Sequence, residues 1–215
     1  MDKGEFAGFF RECSNPGCNF RYPDLKIDSE IAYCPICGDL APVVCRISPI
    51  VNNRIKTKSR IEIIPLLDNI RSVYNVGSII RTCEGLGIEE IVLAGITPKP
   101  DHPRMNKTGL GAIPNLKWTY AKNGFMKVKE LKSKGFQIIS LESSRSSIPI
   151  EQVSKKILKE HLCLVVGNEN LGIDPEIQNF SDLIVAIPMA GDKESFNVSV
   201  AFGIAAYHFV EICRI

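Results

Sequence analysis

The chain has 215 residues, of which 45% are hydrophobic and 23% charged, with a formal net charge of +2. That is enough for one sizeable core with a small accessory module, and it excludes a disordered chain. No apolar run reaches the roughly 18–20 uncharged residues of a membrane span, and MDKGEFAGFFRECS at the N-terminus lacks the apolar core of a signal peptide, so we expect a cytoplasmic protein with no membrane partner.

Four cysteines stand near the N-terminus as Cys13-SNPG-Cys18 and Cys34-PI-Cys37. Two thiolates held two residues apart, on a turn that Gly38 can close, form a zinc knuckle. A second pair at a hairpin's distance can complete a tetrahedral four-sulfur site. The module, placed at residues 1–48, is small, so a structural zinc would supply most of its folding free energy. A redox pair or a ribbon that has lost its metal are the other readings. Cys45, Cys83, Cys163 and Cys213 lie among aliphatic residues and are expected in cores. Composition shifts over 41–60, and the basic linker is placed at 49–60, where Arg54, Lys56, Lys58 and Arg60 fall in an acid-free run. The charge is too small overall to argue for nucleic acid, but this clustering, with Lys99, Arg104 and Lys107 further on, permits it.

Residues 61–215 alternate strand and helix patterns. Strands are expected at Ile61–Leu67, Glu90–Ala94, Phe136–Leu141, Leu162–Val166 and Leu183–Pro188. Helices are expected at Val76–Leu86, Asn123–Lys134, Glu151–Glu160, Asp174–Phe180 and Val198–Cys213. The pattern is that of an α/β domain with a mainly parallel sheet and helices on both faces.

Three polar stretches interrupt it where strands end, the places at which α/β proteins bind ligands. In DNIRSVYNVGSIIRTCEGLG, Asn75 and Gly77 suit a tight turn, and Arg81 lies near the start of the following helix, where it can reach a phosphate or carboxylate. In VVGNENLG, Glu169 is either a solvated loop carboxylate or a pocket residue. In LIVAIPMAGDKESFNVSVA a proline-ended strand opens into a polar loop before the last helix. A dinucleotide fingerprint is excluded, because Gly85-Leu-Gly87 sits at a helix end with Glu90 in the third glycine position, and no Walker A motif is present.

Asn75-x-Gly77-x-x-x-Arg81, VVGNENLG and IPMAGDKESFNVSVAFGIA, in this order, resemble the three motifs of the SPOUT superfamily, in its SpoU/TrmH-like branch of RNA ribose 2′-O-methyltransferases. Residues 97–118 look like the connecting region of one bacterial-type subgroup. The resemblance implies a trefoil-knotted α/β fold, S-adenosylmethionine as methyl donor, RNA as substrate and a homodimer that builds each RNA site across two subunits. It implies a donor site at Gly167, Asn168, Ile187, Pro188, Met189 and Phe196, and a catalytic and RNA-binding set of Asn75, Arg81, Glu169, Ser195 and Asn197. The family usually has leucine after the serine; Phe196 here keeps the position apolar. The Ser-x-Asn pattern goes with the ribose branch rather than with base methylation. A zinc-ribbon RNA-binding or assembly protein whose knotted domain no longer catalyses is the reading from a different class. The ribbon and linker are expected to grip the body of the RNA, and tRNA is preferred to rRNA as substrate.

Overall fold

The computed structural model describes residues 8–25, 32–48, 60–102 and 116–214. The chain divides into two compact units between Lys56 and Thr57. Most of the expected linker, with Arg54, Lys56 and Lys58, lies outside the described residues, as do Arg104 and Lys107.

In the first unit an antiparallel sheet has the order β2-β1-β3, formed by β1 (Gly8–Glu12), β2 (Arg21–Asp24) and β3 (Val43–Ile47). Its buried apolar cluster consists of Cys13, Cys34 and Ala41, with Cys18 and Tyr22 packed against it. So small an apolar core cannot alone offset the ordering entropy of the segment. The charge of the buried Arg11 is paired, Nε donating to Asp24 Oδ2 at 2.7 Å and Nη1 to the carbonyl of Ala41 at 3.2 Å.

The second unit is a seven-stranded sheet of order β6-β5-β4-β9-β7-β10-β8 in which every strand pair is parallel. Its strands are β4 (Glu62–Asp68), β5 (Glu90–Ala94), β6 (Lys117–Ala121), β7 (Gln137–Leu141), β8 (Ile148–Pro149), β9 (His161–Val166) and β10 (Leu183–Ala186). The central β4 and β9 bury nearly every residue because both of their faces are covered, which is why they read as unbroken apolar runs. One face packs on α1 (Val73–Leu86) and α4 (Val198–Ile212), the other on α2 (Gly124–Ser133) and α3 (Pro175–Phe180).

Helix α1 buries Val76, Ile79, Ile80 and Cys83, a stripe at the 3.6-residue period. The Ser72 hydroxyl caps its start by accepting from the Asn75 amide, and Gly87, at φ 72°, ends it in the left-handed region. Asn123, Asp174 and Asn197 cap the other three helices with their side chains.

Three expectations need correction. Glu151–Glu160 is not a helix but two 3₁₀ turns, Ile150–Gln152 and Lys155–Ile157. Only Ile150 and Val153 are buried there, too few anchors for the apolar stripe that a short helix needs. No strand is expected at β6, which begins at the end of the connecting region 97–118, because its Lys-Trp-Thr-Tyr-Ala is largely exposed and shows no buried period. Cys45 is exposed on β3 rather than buried. The other three are core residues as expected, and burial pushes the Cys83 and Cys163 thiols up to about 12.

Candidate active site

The carboxyl ends of β4, β7, β9 and β10 meet at one rim of the sheet. After β4 the chain turns at Asn69, whose φ of 58° is one that asparagine tolerates. This side chain and its backbone tie the rim together. The Asn69 carbonyl accepts from Asn168 Nδ2 at 2.7 Å, Oδ1 accepts from the Ile96 amide at 3.2 Å, and Nδ2 donates to Asp68 Oδ1 at 2.8 Å. Asp68 is buried, which pushes its carboxyl pKa up, and its second oxygen accepts from the Asp174 amide at 3.1 Å.

After β9, residues Gly167–Ile173 form a closed loop. Asn168 and Gly172 exchange backbone hydrogen bonds of 2.9 Å, and Asn168 Oδ1 accepts from the amides of Asn170 and Leu171. Gly167 cannot carry a side chain, because a Cβ there would collide with the backbone of Gly172 and Ile173. Glu142, which follows β7, holds the far side of this loop by accepting from the Ile173 amide at 3.1 Å.

Glu169 projects from that loop to the start of α1. Its Oε2 accepts from the Arg71 amide at 2.9 Å, and its Oε1 accepts from the Ser72 amide at 3.0 Å and from Asn75 Nδ2 at 2.9 Å. A carboxylate at a helix N-terminus satisfies orphan amides and meets the positive end of the helix dipole. Burial opposes ionisation, but the Arg71 amide, the Asn75 side chain and the Ser72 amide together hold the carboxyl below the usual glutamate range. The same Asn75 accepts, through Oδ1, from Asn197 Nδ2 at 3.1 Å. Asn197 also caps α4, its Oδ1 accepting from the Ser199 amide and hydroxyl. One residue from each of the three motifs is thus in a single hydrogen-bonded chain.

Beside it lies a cleft of about 690 Å³. Of the expected donor-site residues, Gly167, Asn168, Ile187 and Phe196 line it, as do Glu169, Ser195 and Asn197 of the catalytic set. Its apolar walls, Leu141, Val166, Ile187 and Phe196, stand among loop backbone and amide groups. That mixture fits a nucleoside-bearing donor, whose ring faces are apolar and whose edges hydrogen-bond. Pro188 and Met189 lie on the loop after β10 but outside the lining, and so do Asn75 and Arg81. Asn75 and Gly77 sit inside α1 rather than in a turn, the turn being made by Asn69 and the Ser72 cap. Arg81 is exposed farther along α1 and makes no hydrogen bond or ion pair among the described residues. No histidine lines the cleft. His161 Nδ1 pairs with Glu62 Oε2 at the start of its strand, and His208 Nε2 meets the carbonyl of Val153. Asp68, Asn69 and Glu142 escaped the sequence reading; the only signal for the first two was their place at a strand end ahead of the first motif.

In the first unit the sulfur atoms of Cys13, Cys18, Cys34 and Cys37 all lie within 4.8 Å of one another. Zinc–sulfur bonds of about 2.3 Å in a tetrahedron place sulfurs about 3.8 Å apart, and the Cys18–Cys34 and Cys13–Cys37 separations are 3.8 Å and 3.3 Å. The amides of Asn15 and Ile36 point at the sulfurs of Cys13 and Cys34, stabilising thiolate character. The four residues fit a structural zinc ion, with all positions closed by protein.

The depressed Glu169 pKa sets a pH signature. Its contribution is fully present above the unfolded glutamate value of about 4.3 and is lost as pH falls through the lower folded value. Glu169→Gln should cost about 1 kcal/mol at neutral pH, below the usual range for a charged hydrogen bond because the group is exposed. The gap between the urea midpoints of mutant and wild type should close in acid; a gap independent of pH would remove the carboxylate charge from the account.

Residues 62–207 match the SpoU rRNA Methylase family, more than half of the chain. The chain is 33% identical over 153 residues to a tRNA (guanosine(18)-2′-O)-methyltransferase of Aquifex aeolicus, covering 70% of this chain and 69% of that protein. It is 29% identical over 146 residues to a 23S rRNA (guanosine(2553)-2′-O)-methyltransferase of Bacillus subtilis, covering 66% of this chain and 56% of that one. Among solved structures, the A. aeolicus TrmH/SpoU tRNA modifying enzyme superposes with a TM-score of 0.64 at 30% identity, over 72% of this chain and 77% of the other. An AdoMet-bound rRNA methyltransferase from Sinorhizobium meliloti gives 0.64 at 25% identity, over 69% and 55% of the two chains. With the parallel sheet and the three linked motifs already in view, the chain belongs to the SpoU rRNA Methylase family, within the SPOUT fold.

Proposed function

We propose that this protein is an S-adenosylmethionine-dependent RNA ribose 2′-O-methyltransferase, a cytoplasmic homodimer with a structural zinc ion in its N-terminal unit. The observation that carries the reading is the linkage of three motifs through Glu169, Asn75 and Asn197 beside a cleft that suits a nucleoside-bearing donor. The activities named for the relatives support it.

S-adenosylmethionine supplies an electrophilic methyl group whose leaving group is a neutral thioether, so no side chain need protonate it. The protein must place the donor in line with a ribose 2′-hydroxyl and help that hydroxyl lose its proton. Gly167, Asn168, Ile187 and Phe196 take the first task, the bent backbone meeting the edges of the adenine and the apolar side chains its faces. Pro188 and Met189 fix the path of the loop that carries them. Glu169 is a positioning residue, since its oxygens are engaged by α1. Ser195 and Asn197 line the cleft and are assigned to the hydroxyl's side of the reaction. Arg81 is too basic to act as a free base; it works with an RNA phosphate to orient the hydroxyl and relay its proton. Arg81 does not line the cleft of its own subunit, which supports the reading of a site completed across two subunits.

A homodimer also accounts for exposed apolar residues on the two packed helices. Val200, Ile204 and Tyr207 recur at helical spacing on α4, and Tyr74 is exposed on α1. The described ribbon itself offers little free positive charge, Arg11 being paired with Asp24 and Arg21 with Glu12. Grip on the RNA body therefore falls to the basic linker at 49–60.

Labelled methyl transfer to unmodified tRNA and rRNA fractions tests the reaction, the product being a linkage that resists alkali. We expect label in such a linkage, first in tRNA, and none with Arg81→Ala although donor affinity is little changed. Loss of donor affinity in that variant would give Arg81 a different role, and label in alkali-labile product would indicate a base methyltransferase. Ile204→Lys should convert dimer to monomer in sedimentation, and a strong chelator should release zinc and unfold the first unit while donor binding survives. A wild-type monomer, or a metal-free folded ribbon, would contradict those two parts of the proposal.

A further inference from the structure

Edge strand β6 places two aromatic rings on one face of the sheet. Trp118 and Tyr120 are two residues apart, hence on the same side, and each is 40% exposed. Tyr120 is held in place: its hydroxyl donates to the carbonyl of Gly95 at 2.9 Å, and Lys99 Nζ lies 4.5 Å from the ring centroid. Ile96, 65% exposed, is beside them on the loop after β5, and the exposed Lys122 follows the strand. The Trp118 indole N–H has no partner among the described residues. Tyr120, nearer the carboxyl end of β6 than Trp118, ties the patch through Gly95 to the rim of the candidate active site. The Ile96 amide donates to Asn69 Oδ1, and the Asn69 carbonyl accepts from Asn168 Nδ2 of the donor-side loop.

We propose that Trp118, Tyr120 and Lys99 form a stacking platform for unpaired nucleotides of the substrate RNA, flanking the nucleotide that is methylated. The inference rests on the RNA methyltransferase reading. An exposed ring such as Trp118 stacks on a base of any sequence, and Lys99, held over the Tyr120 ring, is the cation that meets the phosphates. The charge and chemistry favour RNA over a protein partner: the patch is aromatic and lysine-bearing, with Ile96 its one large exposed aliphatic side chain among the described residues. The platform would hold an RNA that the cleft alone, lined by three glutamates and no lysine or arginine, does not attract. It selects single-stranded or loop regions, because paired bases do not offer their faces.

Trp118 is the only tryptophan in the chain, so intrinsic tryptophan emission reports on this one position. Donor-free full-length protein titrated with a mixed-sequence single-stranded RNA oligonucleotide, and with unmodified bulk tRNA, should show saturable quenching. Trp118→Ala should weaken RNA binding on the order of tenfold by filter binding and raise KM for RNA alike, with donor affinity and kcat little changed. Trp118→Phe, which keeps a ring, should restore most of the affinity. Unaltered thermal melting in both variants separates stacking from a folding defect. RNA that binds without changing the emission, or with equal affinity for the alanine variant, overturns the platform and leaves the enzyme reading intact. Absence of RNA binding by the wild type at low salt overturns both. Emission that follows protein concentration instead of RNA would assign the face to a second copy of the chain, against the proposal.

Discussion

The Glu169 carboxylate at the N-terminus of α1 is the interaction on which the candidate site depends. Its hydrogen bonds run to Arg71, Ser72 and Asn75, groups separated from it by 98, 97 and 94 residues. Through Asn75 the chain continues to Asn197, a further 122 residues along the sequence from Asn75. Parallel strands with crossover helices leave the loops at a strand edge without local partners, so such loops need contacts of this kind to acquire one shape. A charged acceptor suits the task, since it meets two backbone amides and a helix dipole at once and gains more from each than a neutral group would. The consequence is that the loop after β9, the first motif and the last helix cannot be positioned independently.

Beneath that link, the rim is built from groups that have no exposed role. Asp68, the last paired residue of β4, and Asn69, which follows it, hold α3, the loop after β5 and the loop after β9. Glu142 performs the same service from β7. These residues support the cleft without supplying its chemistry. The N-terminal unit faces a different problem: its described apolar cluster is small, and its four sulfurs are gathered where a metal ion could link them.

Much of this was legible in the sequence where a residue's role is local. Asn123 and Asp174 stand at helix starts by type and position, and β4 and β9 are apolar throughout because both faces are covered, whereas the Ser72 cap was hidden behind the turn expected at Asn75 and Gly77. The cysteine spacing located the four sulfurs, and the ordered motifs identified the loops that meet. What was not legible depends on tertiary partners. Exposed Trp118 and Tyr120 give β6 no buried period, and Ile150 and Val153 mimic the start of a helix that has nothing to pack against. Asp68, Asn69 and Glu142 are ordinary polar residues until distant amides arrive. Glu169 stood as either a loop or a pocket residue, and only the position of α1 decides that it does both.

The most direct measurement is a double-mutant cycle with Glu169→Gln, Asn75→Ala and the pair together, read by urea unfolding and by methyl transfer. If the carboxylate holds the first motif through Asn75, the two changes should couple by about 0.5–3 kcal/mol in stability, and the pair should lose little more activity than either alone. Strict additivity in both readouts would mean that the loops are positioned independently and would contradict the account.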